Sequence, residues 1–242
     1  MAAPSLASLG PLDGLLLVDK PSGPTSHDVV AQIRRRFRIA KVGHGGTLDP
    51  MATGLLVILL GKGTKISDRV MGHDKTYEGT LRLGLETDSQ DADGRIVAEK
   101  DAAAVTAAQV EEQFKLRLGD QMQLPPMVSA IKIQGVPLYK LARKGETVER
   151  QPRLIHVYRF ELLDFAPPDV RFRVECTKGT YVRTLAHDVG QALGVGAHLV
   201  ALRRTKIGQI DVAQAHPLAE LLEAPALDGK VIPLAAALPL LS

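Results

Sequence analysis

Cysteine, tryptophan and long apolar runs are what this chain lacks most visibly, and each absence removes a class of function. Cys176 is the only cysteine, so an intramolecular disulfide and a multi-cysteine zinc site are both excluded. The seven histidines include no His-x-x-x-His pair, which leaves no zinc-ligand spacing in the sequence. With no Trp and 4% aromatic residues, the chain is poorly equipped as a general stacking platform for single-stranded nucleic acid. No stretch approaches the ~20 consecutive apolar residues of a membrane span. The N-terminus lacks the basic start and apolar core of a signal peptide, which makes the cytoplasm the expected location. Gly61-Lys62-Gly63-Thr64 lacks the Gly-Lys-Ser/Thr order of a phosphate loop. Asp88-Ser89-Gln90-Asp91-Ala92-Asp93-Gly94 lacks the spacing and closing Glu of a calcium loop, and is expected to be a hairpin turn. No internal repeat is present.

What remains is an ordinary globular composition, 45% hydrophobic over 242 residues, enough for a substantial core in one domain with at most a small appendage. The net charge of +3 is mild, so any nucleic-acid surface must come from clustering. Arg34, Arg35, Arg36, Arg38 and Lys41 form one basic group, and Arg203, Arg204 and Lys206 another. Either group can be a phosphate-binding surface or a solvated face.

Periodicity sets the organisation. Leu15–Val18 reads as a strand; Thr25 or Ser26 caps a helix with Val29, Val30, Ile33 and Phe37 on its apolar stripe. Leu55–Leu60 has the composition of a buried strand. Thr76–Gly84 alternates, with Tyr77, Gly79, Leu81 and Leu83 on one face. Thr106 and Gln109 form a capping box before a helix carrying Val110 and Phe114, and Leu138–Lys144 is expected to be a short helix stopped by Gly145. Arg153–Leu163 and Val170–Thr177 are expected to be neighbouring strands, with Cys176 buried as filler. Tyr181, Leu185, Val189 and Leu193 recur every four residues in a helix running to Gly194, and Leu199–Thr205 returns as a strand. Strands and helices mingled with hairpin-like connections predict an α+β fold around a mixed, mainly antiparallel sheet flanked by helices and loops.

Chemistry concentrates in Gly43-His44-Gly45-Gly46-Thr47-Leu48-Asp49-Pro50. Three glycines in four positions admit a close ligand, and Pro50 restricts Asp49 to extended or turn backbone. Locally this is only a glycine-rich turn. Together with Leu60-Gly61-Lys62-Gly63-Thr64-Lys65, however, it resembles the signature of the TruB family of tRNA pseudouridine synthases. Further matches lie at Leu16–Pro21, Lys75–Glu78, Pro126–Lys132, Lys178–Leu185 and Gly196–Arg204, in family order and spacing.

The resemblance implies a pseudouridine synthase catalytic fold, with a catalytic domain over residues 1–212 and a short C-terminal segment over 213–242 in place of a PUA-type RNA-binding domain. It implies isomerisation of the uridine at position 55 in the tRNA T-loop, by base flipping and without a cofactor or metal. Asp49 is then the catalytic carboxylate, acting as a nucleophile on base or ribose or shielding positive charge on the sugar. Arg183 pairs with it, and Tyr77 stacks on the base. Tyr181 and Leu202 complete the pocket wall, His44 supports the flipped nucleotides, and Lys20 orders the pocket. The expected partner is the tRNA T-arm, met by a monomer needing no membrane and no other protein. A guide-dependent dyskerin-type synthase and a noncatalytic RNA-folding factor are the alternatives. Gly45 departs from the family pattern, where Thr or Ser is common, and is expected to loosen the loop.

Overall fold

The computed structural model describes residues 12–129, 132–133, 136–138 and 148–241. They form two compact units, one from residues up to Tyr77 together with Leu202 onward, the other from Glu78 to Ala201.

The first unit opens with strand β1 (Gly14–Lys20), followed by helix α1 (Ser26–Phe37), β2 (Val42–His44) and β3 (Thr53–Leu60). Thr25, not Ser26, caps α1: its hydroxyl accepts from the Asp28 amide while the Asp28 carboxylate accepts from the Thr25 amide. This capping box ties down two of the orphan amides of the first turn. Val29, Val30 and Ile33 are buried as the stripe predicts, and the arginines of the last turn face outward. β3 is buried along Leu55–Leu60, the continuous apolar run of a strand covered on both faces. It pairs antiparallel with β1, from Gly14↔Leu60 to Lys20↔Gly54, and with β2 through Gly43↔Leu59 and His44↔Ile58. A 3-10 turn (Gly61–Ile66) leads into the short helix α2 (Ser67–Gly72).

The chain then enters β4 (Lys75–Leu83) and passes into the second unit between Tyr77 and Glu78. Gly79, Leu81 and Leu83 are buried on one face of β4, matching the predicted alternation. β5 (Leu85–Thr87) and β6 (Ile96–Glu99) form the hairpin expected around the acidic run. Helix α3 (Ala107–Lys115) carries the predicted Thr106–Gln109 capping box and buries Val110 and Phe114. β7 (Gly119–Gln123) follows, then the short pair β8 (Lys132–Ile133) and β9 (Val136–Pro137). The expected helix over Leu138–Lys144 lies, past Leu138, outside the described residues. β10 (Arg153–Ala166) and β11 (Asp169–Cys176) are antiparallel neighbours, and the strand order in this unit is β4-β11-β10-β7. Phe114, Phe160 and Phe172 form its aromatic core, the first two stacked 3.9 Å apart. Cys176 is buried as predicted. Helix α4 (Val182–Ala192) ends the unit, with Tyr181 at its N-cap.

β12 (Ala197–Ile207) carries the chain back into the first unit between Ala201 and Leu202. It pairs parallel with β3 through Arg203↔Thr53 and Arg204↔Gly54. β13 (Ile210–Asp211), β14 (His216–Pro217), helix α5 (Leu218–Glu223), β15 (Val231–Pro233) and helix α6 (Leu234–Ala237) complete the unit. β14 pairs parallel and β15 antiparallel with β1. Leu234, Ala237 and Leu241 join Leu15, Leu17, Leu55 and Val57 in one core, so the last residues belong to the body of this unit. The architecture is α+β on mixed, mainly antiparallel strands, as the sequence pattern predicts. Among the described residues no helix is long and apolar enough to cross a membrane.

Candidate active site

The Gly43–Pro50 loop is held from both ends. β2 fixes its start, and the Gly45 amide donates to the Val57 carbonyl at 2.8 Å. Further on, Ser26 clamps Leu48 twice: the Leu48 amide donates to Ser26 Oγ at 2.8 Å, and Oγ donates back to the Leu48 carbonyl at 3.1 Å. The Gly23 amide donates to Pro50 O at 2.9 Å, and the Ala52 amide to Asp49 O at 3.1 Å. Asp49 therefore sits between two anchored residues. The loop is also not loosened at Gly45. A Cβ there would overlap the Val70 side chain, so glycine is what lets β2 close against α2.

Two buried cations finish the loop. Lys20 is fully buried, and Nζ donates to the carbonyls of Pro21 (2.8 Å), Pro50 (3.1 Å) and Ala52 (2.8 Å), one for each ammonium proton. Burial lowers its pKa from 10.5 to about 8, against the attraction of Asp49 and with the repulsion of Arg204. At neutral pH the ammonium stays charged. Arg204 is 1% exposed, and it bonds the carbonyls of Leu55 (2.8 Å), Thr47 (3.3 Å) and Gly46 (3.1 Å) together with the Tyr77 side chain. Burial lowers its pKa, with Tyr77 opposing, yet a guanidinium keeps its proton at physiological pH. Gly54, its strand partner, has φ +97°, and a Cβ there would overlap the Arg204 carbonyl oxygen.

His44 is half-buried at the end of β2 and accepts the Gly46 amide on Nδ1 at 3.3 Å. Burial, then His27 and Arg204, lower its pKa, so the ring is neutral near pH 7 and carries its proton on Nε2. Leu202 is buried on β12, on the same side as Arg204 two residues on. Arg203 alternates to the other side and pairs bidentately with Asp19 at 2.9 and 2.6 Å.

In the second unit, Arg183 lies in the first turn of α4 and is 2% exposed. It donates to Asp91 Oδ2 at 2.9 Å, Ser89 O at 3.2 Å and Val128 O at 2.8 Å. Asp91 in turn accepts from Ser89 Oγ and from the Asp93 amide at 3.1 Å. Tyr181 is held through its backbone by Gln123, whose side chain bonds its amide at 2.8 Å and its carbonyl at 3.0 Å.

Of the residues singled out by sequence, Lys20, His44, Asp49, Tyr77 and Leu202 thus belong to the first unit, where Lys20 acts on Asp49 and Arg204 links Tyr77 to the loop. Tyr181 and Arg183 adjoin one another at the start of α4 in the second. Of the Arg203, Arg204 and Lys206 group, Arg204 is corrected as a phosphate contact because it is buried, while Arg203 pairs with Asp19 and Lys206 lies 3.7 Å from Asp211. Sequence reasoning missed Ser26, Gln123, Asp91 and Arg204 as site-shaping residues. Only Arg204 had a signal, a cation closing the matched segment Gly196–Arg204. Among the described residues no group of His, Cys, Asp and Glu is placed to hold a metal.

Residues 34–182 match the family model of the TruB family pseudouridylate synthase N-terminal domain, and residues 183–238 that of the tRNA pseudouridylate synthase B C-terminal domain. The chain is 54% identical to the tRNA pseudouridine synthase B of Opitutus terrae over 230 residues, covering 94% of this chain and 95% of the relative. Identity to the protein of the same name from Syntrophotalea carbinolica is 51% over 204 residues, 84% of this chain and 67% of the relative. Among solved structures, the fold is similar to a chain of a Cbf5-Nop10-Gar1 complex, with a TM-score of 0.70 and 34% identity. That match covers 88% of this chain and about half, 54%, of the other. The chain belongs to the TruB family of tRNA pseudouridine synthases.

Proposed function

We propose that this enzyme converts the uridine at position 55 of the tRNA T-loop to pseudouridine, with Asp49 as the catalytic carboxylate and no cofactor. The observation that carries the reading is the immobilisation of Asp49: Ser26 holds the residue before it, and Gly23 and Lys20 hold the residue after it. A backbone so fixed presents the carboxylate from a set position, which limits reorganisation in the reaction.

The reaction breaks the bond from ribose C1′ to uracil N1, turns the ring and joins C1′ to C5, with the C5 proton released and a proton taken up at N1. Asp49 serves the first step as nucleophile or as a shield for positive charge on the sugar. Arg183, its family partner, keeps it ionised. Tyr77 stacks on the extruded base, Tyr181 and Leu202 wall the pocket, and His44 offers Nε2–H to the flipped nucleotides. Extrusion costs a few kcal/mol, offset by these apolar and aromatic contacts. All of these residues lie within 1–212. The RNA is read by shape through its T-arm. The enzyme acts in the cytoplasm as a monomer, and free tRNA suffices without a guide or a protein partner.

Tritium release from tRNA carrying uridine labelled at C5 tests the reading. Wild-type enzyme should release tritium from free tRNA, and Asp49→Asn should be slower by at least ~10³-fold in single turnover, about 4 kcal/mol of transition-state stabilisation. Isomerisation by well-folded Asp49→Asn, with reversion to Asp excluded by mass spectrometry, would overturn the assignment.

A further inference from the structure

Arg204 is the largest fully buried side chain among the described residues, yet an outward-facing role is all that its sequence neighbourhood suggests. A guanidinium has five N–H donors and no acceptor. Nε is spent on Leu55 O, Nη1 on Thr47 O and Nη2 on Gly46 O, and the Tyr77 side chain lies within interaction reach of the same guanidinium. Since Arg204 can only donate, the Tyr77 phenol oxygen must be the acceptor. The phenolic proton is therefore directed away from the guanidinium. Gly46 and Thr47 lie three and two residues before Asp49, so one planar group sets the approach to the carboxylate and the orientation of the phenol together. Its own placement is fixed by the Arg204↔Gly54 pairing, where the missing Cβ at 54 lets the strands approach.

We propose that Arg204 is a positioning residue of this centre, which locks the loop before Asp49 to Tyr77 and turns the Tyr77 hydroxyl so that it faces the base as a donor. The proposal rests on the reading of Tyr77 as a substrate contact. Phosphate binding is ruled out as its role by the three carbonyl bonds already made and by burial. A lysine here would keep the charge, but it could not reach three carbonyls and a phenol from one nitrogen.

Single-turnover rate and tRNA affinity, measured separately for Arg204→Lys, Tyr77→Phe and the double variant, test the coupling. Arg204→Lys should bind tRNA within about 3-fold of wild type but react roughly 10- to 100-fold more slowly, as charge-assisted hydrogen bonds are lost. Added to Tyr77→Phe, the same change should slow the reaction by only about 3-fold or less, because the two act as a unit. A wild-type rate for Arg204→Lys, a loss confined to affinity, or a fully multiplicative double variant would each overturn the proposal. Should Arg204→Lys fail to fold, spectra of arginine-labelled protein decide. Wild type should show a guanidinium with slowly exchanging Nη protons that shifts in Tyr77→Phe, and an unshifted resonance refutes the bond. Wild-type activity of Tyr77→Phe would instead refute the role of Tyr77 itself.

Discussion

Lys20→Met should change the pH dependence of stability more clearly than stability at any one pH. At pH 7 the buried ammonium, with its pKa brought from 10.5 to about 8, costs folding about 3 kcal/mol at 1.36 kcal/mol per unit. Methionine removes that cost. It also leaves the carbonyls of Pro21, Pro50 and Ala52 without their donor, at about 1–3 kcal/mol each. The net effect at pH 7 then ranges from neutral to clearly destabilising. The slope is sharper. Because the folded pKa lies below the unfolded one, the unfolded chain binds the extra proton between about pH 8 and 10.5, and this residue makes stability rise with pH across that window. Urea denaturation of both proteins from pH 7 to 10 should show wild type gaining about 2.5 kcal/mol relative to the variant, while other ionisations cancel in the difference. Parallel curves would refute a lowered Lys20 pKa. The same proton balances Asp49, so the single-turnover rate should fall as pH rises through about 8. That limb should be missing in Lys20→Met.

Gly45→Thr should destabilise by about 1–3 kcal/mol through overlap with Val70, and Val70→Ala should recover much of this in the double variant; additive losses in thermal denaturation would mean that the two side chains do not compete for space. Asp91→Asn removes one buried carboxylate from the Arg183 cation, whose side chain is 3% and that of Asp91 5% exposed. A loss of about 1–3 kcal/mol is expected from chemical denaturation, and no loss would contradict a buried charge-assisted bond. Arg36 donates to Leu222 O at 2.7 Å and Ala224 O at 2.6 Å, so Arg36→Ala should lower the melting temperature. Arg34→Ala and Arg35→Ala, on exposed side chains, should instead reduce the salt slope of tRNA binding by about one per lost phosphate contact. An unchanged slope would turn that helix face away from RNA.

Local signals were legible in the sequence. The Thr106–Gln109 capping box, the apolar run Leu55–Leu60 and the alternation through β4 each depend on neighbours a few residues away, and all three elements form as the pattern predicts. Ser26 and Thr25 were interchangeable as caps until Leu48, 22 residues on, claimed the serine. Arg203 and Arg204 look identical in sequence, but strand alternation sends one to Asp19 and the other to carbonyls 149 to 158 residues earlier. Gly45 looked like a loosening substitution because its reason, Val70, lies in another element. Site chemistry was readable where a motif is contiguous, and hidden where distant backbone decides which way a side chain turns.

The discontinuity of the first unit has a consequence for synthesis on the ribosome. Residues 78–201 are contiguous, so their unit can begin folding while the remainder is still being translated. The unit bearing Asp49 can begin but cannot finish. Its β1 must wait for β14 and β15, and the loop before Asp49 must wait for Arg204, which emerges more than 150 residues after Gly46 and Thr47. Closing so long a loop is entropically slow and defers the gain from Leu15, Leu17 and Leu55 meeting Leu234 and Leu241. The nascent chain therefore carries this apolar segment, still chemically inert, until Arg204 has emerged. Catalytic competence arrives only after Arg204 has been made.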